Sequence, residues 1–254
     1  MGSFTTLRLV AAAIATLVMI GSAPAQDSRH GYYAPPAFDT IKPVAARHGM
    51  VVAQEKVAAR IGADVLARGG NAVDAAVATG FAMAVTYPRA GNLGGGGFMM
   101  IHLAKDNQDI ALDYRETAPA AATRNMFLGA DGKPDPAKSR NSALGIGVPG
   151  TVAGLALALE QYGSGKFTLR DLVQPAIALA RDGFVIADDI ADTLPDWHKR
   201  LAKWPSSQKI FSRSDGSSLV AGDKLVQSDL ATTLEAIAAR GPQGFYEGAV
   251  AEKI

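Results

Sequence analysis

Two features of this chain could do chemistry: the glycines at positions 94–97 in "GNLGGGGFMM" and Arg115 in "ALDYRETAP". Consecutive glycines can cradle a phosphate, open an oxyanion hole, or let two backbones pass where a β-carbon would clash. A planar guanidinium can hold a carboxylate through two parallel hydrogen bonds. By residue chemistry alone, however, an ion pair between Arg115 and Asp113, on the same strand face, is the preferred reading of Arg115.

The phosphate reading of the glycines fails on context. A dinucleotide fingerprint needs its glycines after a strand and before a helix, where the helix N-terminus meets the pyrophosphate. Here they follow a helical pattern and precede a strand pattern, and Met99 stands where a register starting at Gly94 needs its third glycine. Gly132-Lys133 and Gly165-Lys166 lack the serine or threonine of a Walker A loop, and no serine lies in a G-x-S-x-G elbow. Close backbone approach is therefore the expected role of the glycine run, over direct contact with substrate.

Thiol and metal chemistry are equally unsupported. The chain has no cysteine, which excludes thiol nucleophiles, Cys-based metal sites and disulfides. Its four histidines, at 30, 48, 102 and 198, form no close ligand spacing, so no metal site is expected.

The elements that must position Arg115 follow from periodicity. In "MVVAQEKVAARIGADVLARGG", Val57, Ile61 and Val65 recur every four residues, predicting an amphipathic helix that ends at Gly69-Gly70. Asn71 is the expected N-cap of a second helix, "AVDAAVATGFAMAVTYP", with Asp74 in its first turn. That helix is small and apolar on every side, so it should be buried on every side.

"FMMIHLA" and "IALDYRE", separated by the turn-forming "KDNQD", predict a β-hairpin. Strand alternation puts Ile110, Leu112 and Tyr114 on one face and Ala111, Asp113 and Arg115 on the other. From Thr117 to Gly147 the chain reads as a long loop. Thr151 is the expected N-cap of a helix running to Gly163, and Thr168 of another in which Pro175 predicts a kink or a late start. The remainder reads as helices and turns, with a Gly241-Pro242 break and a final helix beginning in "GAVAEKI".

Residues 1–25 have the layout of a secretory signal peptide: Arg8, an apolar run from Leu9 to Ile20, then small residues to Ala25. Cleavage after Ala25 is the expectation, giving a periplasmic or secreted protein; an uncleaved anchor is the competing reading. Its loss removes Arg8 alone and leaves 24 basic against 24 acidic side chains, so the mature chain offers no electrostatic case for nucleic acid or a membrane surface. Residues 26–43 read as an extended lead, and 44–254 as one partial domain.

"GGNAVDAAVATGFAMAVTYPRAGNLGGGGFMMIHL", "ALDYRETAPAAATRNMF" and "VPGTVAGLALALEQYG", in that order, resemble the N-terminal part of the large subunit of γ-glutamyltranspeptidase. The resemblance runs from Val44 to the end of the chain. It implies an α+β fold, the αββα sandwich of N-terminal-nucleophile hydrolases, present here only as an incomplete portion. It also implies a precursor that cleaves itself to expose a threonine on a small subunit. That threonine attacks the γ-glutamyl carbonyl of glutathione or related compounds, and water or an amino acid or peptide acceptor takes the acyl group, without a cofactor.

Arg115 matches the arginine of the family's D-[FY]-R-E-x-A-P motif, which pairs with the α-carboxylate of the glutamyl donor. The family's nucleophile lies in a Thr-Thr-His context, whereas Thr5-Thr6 and Thr232-Thr233 here precede leucines, so the chain by itself is expected to be inactive. It is also expected to be poorly stable alone. Two other readings stay open: an acylase of the same superfamily, and a free-standing non-catalytic periplasmic binding module.

Overall fold

Helix α1 (Lys56–Ala67) begins where the Glu55 carboxylate accepts hydrogen bonds from the Val57 and Ala58 amides, at 2.9 Å each. It starts six residues later than the apolar pattern in "MVVAQE", because a buried glutamate satisfies the first-turn donors that only a cap can reach. It stops near Gly69, which adopts the left-handed backbone with φ of 87°. The computed structural model describes residues 43–254, and the unit Ala46–Ile254 carries all the elements below. The expected signal peptide and all but the last residue of the extended lead lie outside the described residues.

Helix α2 (Ala72–Thr86) is the hub. Phe81, Ala82, Val77 and Val85 are completely buried, as expected for a helix apolar all round. It packs on α1, on α4 (Thr151–Tyr162) and on α5 (Leu169–Asp182). Its N-terminus is a reciprocal cap: Asn71 accepts from the Val73 and Asp74 amides, while Asp74 accepts from the Asn71 amide. Asp74 also takes the Ser164 amide at 3.2 Å, and the Asn71 side-chain amide donates to Tyr162 O at 2.7 Å. A cap legible in sequence thus doubles as a clamp on the end of α4.

Strands β1 (Phe98–Leu103) and β2 (Gln108–Asp113) form the expected antiparallel hairpin, with Ile101 opposite Ile110 and Phe98 opposite Asp113. Met99, Ile101, Ile110 and Leu112 face the helices. Phe98 and Met100 face outward and are 62% and 73% exposed. Among the described residues the hairpin is a two-stranded sheet covered by helices on one face only.

Several expectations need correction. Residues 117–147 are not only loop: α3 (Pro136–Arg140) forms behind an Asp135 N-cap with Pro136 at its first position, a start signal present in "DP". The N-cap of α4 is Gly150, without a side-chain bond, and Thr151 is the first helical residue. Helix α5 does not start late: the Thr168 and Asp171 capping box starts it at Leu169, and it runs through Pro175 to Asp182.

After α5, β3 (Phe184–Val185) pairs antiparallel with β4 (Lys224–Leu225), a pairing that two-residue strands 40 residues apart cannot announce by periodicity. Between them lie α6 (Asp188–Ala191), α7 (Leu194–Leu201) and α8 (Pro205–Phe211). Helix α9 (Ser228–Arg240) packs on α5, with Leu234 and Ile237 fully buried. Beyond the expected Gly241-Pro242 break comes α10 (Gln243–Tyr246). The final helix expected in "GAVAEKI" is only a 3₁₀ turn at Ala251–Lys253, because Gly248 has φ of 70° and interrupts the helical path.

Candidate active site

Arg115 sits just past β2, held between two backbone pairings. On its N-terminal side, Tyr114 exchanges hydrogen bonds with Gly97, at 3.0 and 3.3 Å, extending the hairpin by one pair. On its C-terminal side, Thr117 exchanges bonds with Val148, at 2.8 and 3.3 Å. Arg115 and Glu116 therefore bridge from the hairpin to the strand-like entry of α4. Both ends of this two-residue span are fixed, and that orients the Arg115 backbone without any contact from its own side chain.

The glycine run makes this junction possible. The Gly95 carbonyl accepts from the Gly150 and Thr151 amides, at 2.7 and 3.0 Å, which explains why Thr151 is drawn into the helix instead of capping it. A β-carbon on Gly96 would lie 2.8 Å from Glu116 N and 2.9 Å from Arg115 C, and closer still to Tyr114 O. A β-carbon on Gly150 would collide with the same Tyr114 carbonyl. Three backbone segments thus cross at residue 114, and only glycine fits at the crossing. The close backbone approach expected of the run holds at Gly96, whereas a β-carbon on Gly94 would meet open space.

The Tyr114 ring lies on α4 over Gly154, and burial raises its phenol above the ordinary value. Tyr246 braces the other side: its hydroxyl donates to Pro149 O at 2.8 Å and accepts from Ala153 N at 3.2 Å. Burial raises the Tyr246 phenol as well, partly offset by the Ala153 N–H.

Arg115 itself is exposed, on the face opposite Tyr114, as strand alternation predicts. The ion pair with Asp113 is not formed. The Asp113 carboxylate instead accepts from the Arg115 backbone amide at 3.0 Å, a local turn closed within two residues. Among the described residues the Arg115 guanidinium has no salt bridge and no side-chain hydrogen bond. A planar, five-donor cation is left facing solvent.

The space it faces is a cleft of about 540 Å³. Arg115 and Glu116 form one side, Arg124, Met126 and Phe127 another, and Ile146 closes a third. Two guanidiniums and one carboxylate around a partly apolar cleft suit a ligand that carries both a carboxylate and an ammonium. Glu116 and Arg124 were not singled out by sequence. The available signal was a second arginine nine residues after Arg115, in a stretch otherwise made of small and apolar residues. Among the described residues no group of three His, Asp or Glu side chains gathers as metal ligands.

Comparison with known proteins gives the same assignment as the motifs. The family model described as gamma-glutamyltranspeptidase matches residues 58–254. The chain is 50% identical over 216 residues to the glutathione hydrolase proenzyme of Escherichia coli strain K12, covering 85% of this chain and 37% of that protein. It superposes on the crystal structure of Helicobacter pylori gamma-glutamyltranspeptidase with a TM-score of 0.79 at 46% identity, over 84% of this chain and 60% of that one. A cephalosporin acylase from Bacillus halodurans shares the fold at a TM-score of 0.66 and 23% identity, covering 87% of this chain and 42% of that one. The chain spans little more than a third of the length of the curated relatives it matches. Its motifs, its fold and the span of the family match make it a member of the gamma-glutamyltranspeptidase family, of whose αββα fold it forms an incomplete large-subunit portion.

Proposed function

We propose that this chain supplies the donor-carboxylate anchor of an enzyme that cleaves γ-glutamyl amides such as glutathione and passes the glutamyl group to water or to an amino acid or peptide. The observation that carries this reading is Arg115. Its backbone is pinned at both flanks, its guanidinium is unpaired among the described residues, and it opens onto a cleft. Such a group can take the α-carboxylate bidentately, while Glu116 beside it can accept the α-ammonium.

The reaction is completed by a threonine outside this chain. Its hydroxyl oxygen forms a bond to the γ-carbonyl carbon and its proton passes to its own α-amine. The C–N bond of the amide then breaks, the leaving amine takes that proton, and water or an amine attacks the resulting ester. The threonine would come from a small subunit made when the precursor is processed, which the proenzyme names of the relatives support. Outward-facing Phe98 and Met100 support a further protein layer over the hairpin. Localisation in the periplasm or outside the cell is part of the same proposal. Among the described residues no helix is long and apolar enough to cross a membrane.

The test uses the protein as its gene encodes it. Incubation with γ-glutamyl anilide should release the aniline, and a mass spectrum should show two processed subunits. Processed subunits with no aniline release would contradict the proposed activity. Release from an anilide lacking the α-amino acid group, at an equal rate, would favour the acylase reading.

A further inference from the structure

A second cleft, about 880 Å³, borders the other side of the segment 140–146 and shares Ile146 with the Arg115 cleft. Arg140, at the end of α3, lines it together with Lys199 and Arg200 of α7 and Lys203 just beyond that helix. Trp197 and Trp204, the only two tryptophans in the chain, form its apolar walls.

Three features point to one class of ligand. First, the charge is concentrated: a chain with 25 basic and 24 acidic side chains has no overall field, yet four cations line this one cleft. Asp196 is the neighbouring countercharge, 3.8 Å from Lys199 and on the exposed surface. Exposed like charges from segments sixty residues apart thus line one cavity, where each attracts an entering anion.

Second, one of the cations is partly preorganised. The Lys203 ammonium lies over the Trp204 ring at 4.3 Å, which restrains a flexible side chain at the rim. Third, the cleft is far larger than one inorganic oxyanion and is walled by indoles, one of them 45% exposed. Indole surface suits the carbon skeleton of an organic molecule, whereas an inorganic ion gains nothing from it.

We propose that this cleft binds a small organic polyanion bearing two or more carboxylates. Arg140, Arg200 and Lys203 take the carboxylates and the two tryptophans cover the skeleton between them. The site adjoins the Arg115 cleft at Ile146 but uses none of its charged residues, so its test does not depend on the activity proposed above.

Because both tryptophans line the site, they report on it directly. The protein, expressed as its gene encodes it, is labelled with 5-fluorotryptophan, and W197F and W204F identify the ¹⁹F resonances of these two residues. Citrate is then titrated at constant ionic strength, with inorganic phosphate in a parallel series. Both resonances should shift and saturate together with a Kd of about 1 mM or tighter. Arg140→Gln combined with Lys203→Gln should weaken citrate at least about fivefold, as expected for two partly exposed charge contacts. Arg200→Gln alone gives a second, milder reading should the double variant fail to fold. A shift that does not saturate, an equal response to phosphate, or unchanged citrate affinity in the folded variants would overturn the proposal.

Discussion

Tyr114 rests its side chain directly on the backbone of α4 at Gly154, so a β-carbon there would fall against its Cβ, Cγ and Cδ1 atoms. The residue before Arg115 is therefore seated on the helix that begins at the glycine crossing. Gly154→Ala should cost about 1–3 kcal/mol through overpacking, even though alanine is the better helix former by about 1 kcal/mol. Thermal unfolding measures the cost. If the helix preference wins and the variant is more stable, the Tyr114 seat is not tight.

Asp74 should be the most sensitive polar residue of the core. It is completely buried and takes the Asn71 and Ser164 amides, tying the start of α2 to the end of α4. Asp74→Ala strands both donors and should cost about 2–4 kcal/mol, while Asp74→Asn keeps an acceptor and should cost less. Denaturant unfolding of the two variants checks the order.

Asp171 gives a pH-dependent prediction of definite sign. Hydrogen bonds from Thr168, side chain first and backbone second, hold its carboxyl below the ordinary 3.8. A folded pKa below the unfolded one adds stability above the unfolded value, and that stability is lost as pH falls through the folded value. Asp171→Asn should therefore be less stable than the parent at neutral pH, by up to about 1 kcal/mol for an exposed cap. The gap should close as pH drops below the usual carboxylate range. A gap that widens in acid, measured by unfolding midpoints across pH, would contradict the assignment.

Much of this arrangement was legible in sequence because it is local. The Asn71 and Thr168 caps, the hairpin and the opposite faces of Tyr114 and Arg115 follow from spacing of a few residues. The buried character of α2 follows from its all-apolar circumference. What was not legible is set by contacts between distant segments. Gly95 claims the amides at 150 and 151, Asp74 claims Ser164, and β3 meets β4 across 40 residues. The Arg115–Asp113 ion pair failed for a different reason: a short carboxylate reaches the amide two residues on more readily than a distant guanidinium. Arg124 enters the site only because the loop after Arg115 folds back over it.

In the proposed function Arg115 holds the donor α-carboxylate and does little for the fold. The direct measurement compares kcat/KM for γ-glutamyl anilide and for its α-carboxamide analogue, in the parent protein and in Arg115→Gln. The parent should prefer the carboxylate donor strongly, and the variant should lose about 10²-fold or more on that donor, with little change on the carboxamide and an unfolding midpoint close to the parent's. Equal losses on both donors, or a variant that still prefers the carboxylate as the parent does, would show that the anchor lies elsewhere.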